Sequence, residues 1–171
     1  MSKIIVAASL VSLLVLSSLT ALSCGCGSGK PVPEKTEYYQ VGERAETSQL
    51  MVTVNSVTRE ERRVRSHPVW TADWEYAPPG TVFLRVEVTT TNVGTSGIGI
   101  DPSDWTVEDS AGHEWARTIY EGHYPYKARN LAPGETVFGV MLYTVPVDVT
   151  GLEVSCIMPG TPPIRAVWMT Q

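Results

Sequence analysis

The chain is expected to fold as an all-β antiparallel sandwich of seven to eight short strands, and three observations carry that expectation. Apolar and polar residues alternate with period two in run after run beyond Glu37. Gly, Pro, Asn and Asp turn signals separate those runs. No stretch in the same region holds a helical period.

Taken in order, Leu50, Val52 and Val54 alternate with Met51, Thr53 and Asn55. Val82, Leu84, Val86 and Val88 alternate with Phe83, Arg85, Glu87 and Thr89, the clearest half-buried strand of the chain. Trp105 and Val107 alternate with Thr106 and Glu108. Asp109 to Gly112 makes a turn, and His113 to Arg117 is expected to return as the hairpin partner. Thr136 to Val145 is a long β-rich run stopped by Pro146, which has no N–H to give a ladder. Leu152, Val154 and Cys156 alternate with Glu153, Ser155 and Ile157, so Cys156 reads as a buried thiol acting as a small hydrophobe. Ile164 to Met169 is the last strand. Between Val57 and Val82 lies a long connection, Arg59 to Gly80, rich in Arg and aromatics. Connections of that length are often functional.

The N-terminus is read as an address. Lys3 is the one charged residue before Cys24, and the run from Ile4 to Leu22 is apolar and Ser/Thr-rich. This is the plan of a secretory signal helix. Residues 1–23 are therefore expected to be a signal peptide, 24–36 a flexible tether of Gly, Ser and Pro, and 37–171 the sandwich. The segment Ala21-Leu22-Ser23-Cys24 resembles the processing box of a bacterial lipoprotein, which implies lipid on Cys24, with Cys26 as the alternative. Acyl chains hold a protein to a bilayer, each buried CH₂ contributing about 0.8 kcal/mol. An uncleaved membrane anchor and simple secretion are the competing readings. A Cys26–Cys156 disulfide is an alternative fate for those thiols in an exported protein.

Charge narrows the partners. Thirteen Lys and Arg against 18 Asp and Glu give −5 over 171 residues. Loss of Lys3 with the signal leaves 12 against 18, or −6. Such a chain is not suited to nucleic acid, whose phosphates need a basic surface. Nor is it drawn to anionic lipid by charge, so attachment falls to the lipid. The expected place is the bacterial cell membrane, facing the extracytoplasmic side.

Four elements in order carry a further resemblance: Val41-Gly42-Glu43 with Leu50 to Val54; Phe83 to Val88 with Thr91-Asn92-Val93-Gly94; Asp101 to Trp105 through Asp109 to Trp115; and Leu131-Ala132-Pro133-Gly134-Glu135-Thr136 with Leu142 to Pro146. This set resembles the DUF4352 family of bacterial lipoproteins, a telokin-like, MPT63-like domain. The resemblance implies an immunoglobulin-like β-sandwich at the cell surface. It supplies no catalytic residues.

The residues themselves point to no chemistry. No Gly-x-Ser-x-Gly elbow, phosphate loop or His-Glu-x-x-His motif occurs. His67, His113 and His123 lack ligand-spaced neighbours, so neither a metal nor a cofactor is expected. Glu60-Glu61 and Glu108-Asp109 read as solvated charges. Arg59, Arg62, Arg63 and Arg65 interleave with Glu60 and Glu61 and read as a charged edge strand, with an anionic glycan as the functional alternative. Six of the twelve Trp and Tyr residues fall in two connections: Trp70, Trp74 and Tyr76 in one, and Tyr120, Tyr124 and Tyr126 in the other. Exposed rings make low-entropy contact surfaces, whereas buried ones cap a core. The expectation is a noncatalytic, lipid-anchored module that binds protein or glycan through these loops. The alternatives are an envelope spacer with no small ligand and a hydrolase without a recognisable motif.

Overall fold

The computed structural model describes residues 32, 33, 35–64 and 74–170. The expected signal, Cys24, Cys26, most of the tether, Arg65, His67 and Trp70 lie outside the described residues.

Thirteen strands run through the described residues, with one 3-10 turn at Pro102–Asp104 and no α-helix. In chain order they begin β1 Lys35–Gln40, β2 Arg44–Glu46, β3 Leu50–Glu60, β4 Arg62–Val64, β5 Trp74–Tyr76, β6 Thr81–Asn92 and β7 Ile98–Ile100. They continue β8 Trp105–Glu108, β9 Arg117–Thr118, β10 Arg129–Leu131, β11 Thr136–Pro146, β12 Glu153–Met158 and β13 Ile164–Met169. Seven have four residues or more, in keeping with the seven to eight expected. The other six hold two or three residues, too few for a period of two to show in sequence.

Two sheets form the sandwich, one ordered β1-β13-β12-β8 and the other β2-β3-β6-β11-β9; β4-β5 and β7-β10 make two small ribbons. The chain's first described strand lies parallel to its last, with Tyr39 beside Trp168. The core sits between the sheets. Val52, Val54, Val86, Val88 and Tyr143 enter it from one side, and Val107, Val154, Ala166 and Trp168 from the other. The alternation in β3 is reset by a bulge: the register slips between Val54 and Ser56, so Val57 resumes the inward side opposite Val86.

Three expectations change. Phe83, expected to face outward with Arg85, is buried, because the β4-β5 ribbon covers that end of the outer face and sets the Arg63 guanidinium 5.3 Å from its ring. The connection from Arg59 to Gly80 is not one loop, since β3 runs through Glu60 and β4 pairs with β5. The turn at Asp109 to Gly112 forms, with Gly112 at φ +78° donating to the Asp109 carbonyl at 2.9 Å. Its return is only a bridge between Glu108 and Glu114. Arg117 and Thr118 instead cross to the other sheet and pair with Tyr143 and Leu142.

Two of the sequence motifs interlock. Asn92 is fully buried, and its amide donates to the Ser96 and Leu131 carbonyls at 2.8 and 2.9 Å while accepting from Gly94 N–H at 2.9 Å. Its backbone receives Gly134 N–H and donates to the Glu135 carbonyl. The Glu135 carboxylate in turn accepts from Ala132 N–H at 2.9 Å, closing the turn in which Gly134 holds φ +77°. A buried amide with every hydrogen bond made rigidifies its surroundings.

Candidate functional site

The two aromatic-bearing connections meet on the outer face of the five-stranded sheet. Arg63 joins them. Its guanidinium pairs with Glu75 at 2.6 Å, lies over Phe83 and donates to the Ile119 carbonyl of the second connection. Trp74 and Tyr76 are two apart on β5, so they share one side of it, while Glu75 between them turns to Arg63. Tyr76 is 66% exposed and Trp74 46%. The Arg62 guanidinium sits 4.4 Å from the Trp74 ring centroid, a cation–π contact that holds the indole in place.

Tyr120 is half-buried against the same face, near Arg85. Arg85 pairs with Glu87 at 2.5 Å and approaches Glu60 at 3.9 Å, and Ser56 donates to Glu87 at 2.9 Å. A Cβ on Gly122 would stand 2.2 Å from the Tyr120 hydroxyl, so a side chain there would have to displace the tyrosine ring. Tyr120 therefore packs against the backbone at Gly122.

Tyr124 and Tyr126 part company. The chain between them crosses the edge of β11, with Val140 N–H donating to the Tyr124 carbonyl at 2.8 Å and Tyr126 N–H to the Val140 carbonyl at 3.0 Å. Tyr124 takes φ +57°, a left-handed conformation uncommon outside glycine. Its ring is 68% exposed and meets Phe138 edge-on at 5.9 Å. Tyr126, expected among the exposed rings, instead lies in the core. Its hydroxyl is 3.1 Å from Thr90 Oγ1 and its ring packs edge-on to Trp105 at 6.0 Å. Gly139 makes room, since a Cβ there would fall 2.8 Å from the Tyr126 Cα. Burial pushes the Tyr126 hydroxyl up to about 12.

Trp74, Tyr76 and Tyr124 thus remain exposed, Tyr120 is half-buried and Tyr126 is core. Phe138 was missed by the sequence reading. Its signal was there: it alternates with the inward Val137 on a strand otherwise buried from Gly139 to Tyr143. Among the described residues, no group of three or more His, Cys, Asp or Glu is placed to hold a metal ion, and no helix is long and apolar enough to cross a membrane.

DUF4352, characterised only as a domain of unknown function, matches residues 39–162. No curated protein matches the chain. Solved structures do. A candidate lipoprotein of Bacillus subtilis, ycdA, superposes with a TM-score of 0.58 at 13% identity, over 78% of this chain and 39% of that one. This chain thus spans well under half the length of ycdA. An uncharacterised β-sandwich protein from Clostridium difficile gives 0.54 at 14% identity, over 84% and 99%. The secreted protein MPT63 of Mycobacterium tuberculosis gives 0.55 at 11% identity, over 84% and 100%. At these identities the likeness carries the fold alone.

The buried Tyr126 hydroxyl sets a pH dependence. Desolvation raises its pKa above the ordinary 10.0, so the neutral form is the one the fold favours. Its contribution is complete below pH 10 and is lost as pH rises through about 12. Tyr126→Phe should flatten the fall in unfolding free energy across that window, measured by urea unfolding at a series of pH values. An unchanged slope would contradict the assignment.

Proposed function

The chain belongs to the DUF4352 family, and from its site we propose that it is a noncatalytic extracytoplasmic module that binds a protein partner. The binding face is the outer side of the five-stranded sheet, and the membrane is reached through lipid on Cys24 or Cys26. One observation carries the reading: Arg63 links the ribbon bearing Trp74 and Tyr76 to the segment bearing Tyr120 and Tyr124. Rings held in place by neighbours lose little entropy on contact, which is what makes aromatic anchors effective at interfaces. Protein is favoured over glycan because the exposed rings are spread over a face and are interleaved with paired charges such as Arg63–Glu75 and Arg85–Glu87. A charge-bearing rim around apolar anchors is the usual anatomy of a protein interface.

Support for the extracytoplasmic setting comes from the signal-like N-terminus and from structural neighbours described as a candidate lipoprotein and a secreted protein. Mass analysis of the mature N-terminus should find an acylated Cys24, or Cys26 in its place. An intact, unlipidated N-terminus would reject the anchor.

The binding face is tested in the protein's own envelope by crosslinking. Trp74→Ala with Tyr76→Ala removes two exposed rings, so melting should shift by only a few degrees, roughly what about 1 kcal/mol produces. The crosslinked partner should be lost. Normal crosslinking by a folded double variant would overturn the assignment of this face.

A further inference from the structure

A second site lies at the side of the sandwich, where β9 leaves the edge of β11. β9 pairs with Leu142 and Tyr143 and ends at Thr118, and the chain rejoins β11 only at Tyr124 to Tyr126. The gap is a cleft of about 380 Å³, room for roughly a dozen waters and within the range of small-ligand sites. Ile119 and Pro125 give it an accessible apolar wall over the buried Val140 and Leu142, Tyr120 an aromatic side, and Arg117 and Lys127 its cations.

Those two cations stand apart from the other eight described. Lys35, Arg44, Arg63, Arg85, Arg129 and Arg165 each pair with a glutamate. Arg59 donates to the Val147 and Val149 carbonyls, and Arg62 lies over Trp74. Of the ten described cations, only Arg117 and Lys127 have neither an ion pair nor a hydrogen bond nor a ring contact from the side chain. Both line this one cleft, in a chain of net charge −5 whose other described cations are engaged elsewhere. Asp101 also borders the cleft, but its carboxylate accepts from Ser103 N–H at 2.7 Å in the cap of the 3-10 turn. A negative charge there disfavours a dianion and leaves room for a single one.

We infer that this cleft binds a small carboxylate with an apolar or aromatic body. The carboxylate lies between Arg117 and Lys127, and the body rests on Ile119, Pro125 and Tyr120. A guanidinium presents two parallel donors matched to a carboxylate, and the ammonium adds a point charge. The cleft adjoins the partner face and shares Ile119 and Tyr120 with it, but Trp74 and Tyr76, the rings that test that face, take no part in the cleft.

The test uses the full chain in nanodiscs of zwitterionic lipid, with empty discs as the blank. The probes are 4-phenylbutyrate and its uncharged amide, followed by saturation-transfer NMR. The carboxylate should bind saturably, and the amide at least about tenfold more weakly, because it forgoes the charge-assisted bonds. Arg117→Gln with Lys127→Gln should weaken the carboxylate by about tenfold or more with melting unchanged. The exchanged pair, Arg117→Lys with Lys127→Arg, should retain most of the binding. The inference is overturned by absence of saturable binding up to about 10 mM, a Kd too weak to select a ligand. Equal binding of acid and amide, or undiminished binding by the folded Gln variant, would overturn it too.

Discussion

Much of this structure depends on one column of aromatic rings. Tyr39 stacks on Trp168 at 5.5 Å, Trp168 on Trp105 at 5.9 Å, and Trp105 meets Tyr126 edge-on at 6.0 Å. The four rings come from β1, β13, β8 and the segment before β10, which are far apart in sequence. Each such pair contributes about 0.5–1.5 kcal/mol beyond its buried area. Trp168 is completely buried, and its one polar atom is satisfied, the indole N–H donating to the Glu43 carbonyl at 3.0 Å. Every added donor left bare in a core would be costly. That bond therefore fastens the turn between β1 and β2 to the middle of the sandwich.

The column also determines what remains outside. Tyr126 is drawn inward to Trp105, and Gly139 lets it pass close to β11. With Tyr126 inside, the preceding residues must cross the strand edge, and Tyr124 is turned outward in a left-handed conformation beside Phe138. The same path leaves a gap beside β11 between its pairing with β9 and its bridge at Pro125, and that gap is the lateral cleft. The partner face and the cleft are thus two consequences of how one segment reaches the core.

Legibility in the sequence followed local periodicity. Val82 to Val88, Trp105 to Glu108 and Leu152 to Cys156 showed their inward residues because a strand writes its orientation every second residue, although Ser155 on the other face is buried under Thr106 and Arg165. Phe83 broke the rule because a remote ribbon, β4-β5, covers it, and no local pattern announces a distant cover. The bulge after Val54 was hidden for a related reason: its partner strand defines it. Trp74 and Tyr76 were visible as a pair of aromatics, though not as a strand. Tyr124 and Tyr126 were indistinguishable by composition, and only the tertiary path separates them. Arg117 and Lys127 carried no signal at all, because their significance lies in the pairing of the other described cations elsewhere.

Membership of DUF4352 and the sandwich neighbours account for the fold, and a sandwich is a scaffold that hosts many functions. The work of this chain therefore rests on what the aromatic column holds rigid. The most direct measurement is native-state hydrogen exchange at the Trp168 indole N–H. If the column is the centre of the structure, that proton exchanges only through global unfolding, and its opening free energy equals the unfolding free energy from urea. Exchange through a local opening several kcal/mol cheaper than unfolding would contradict the account.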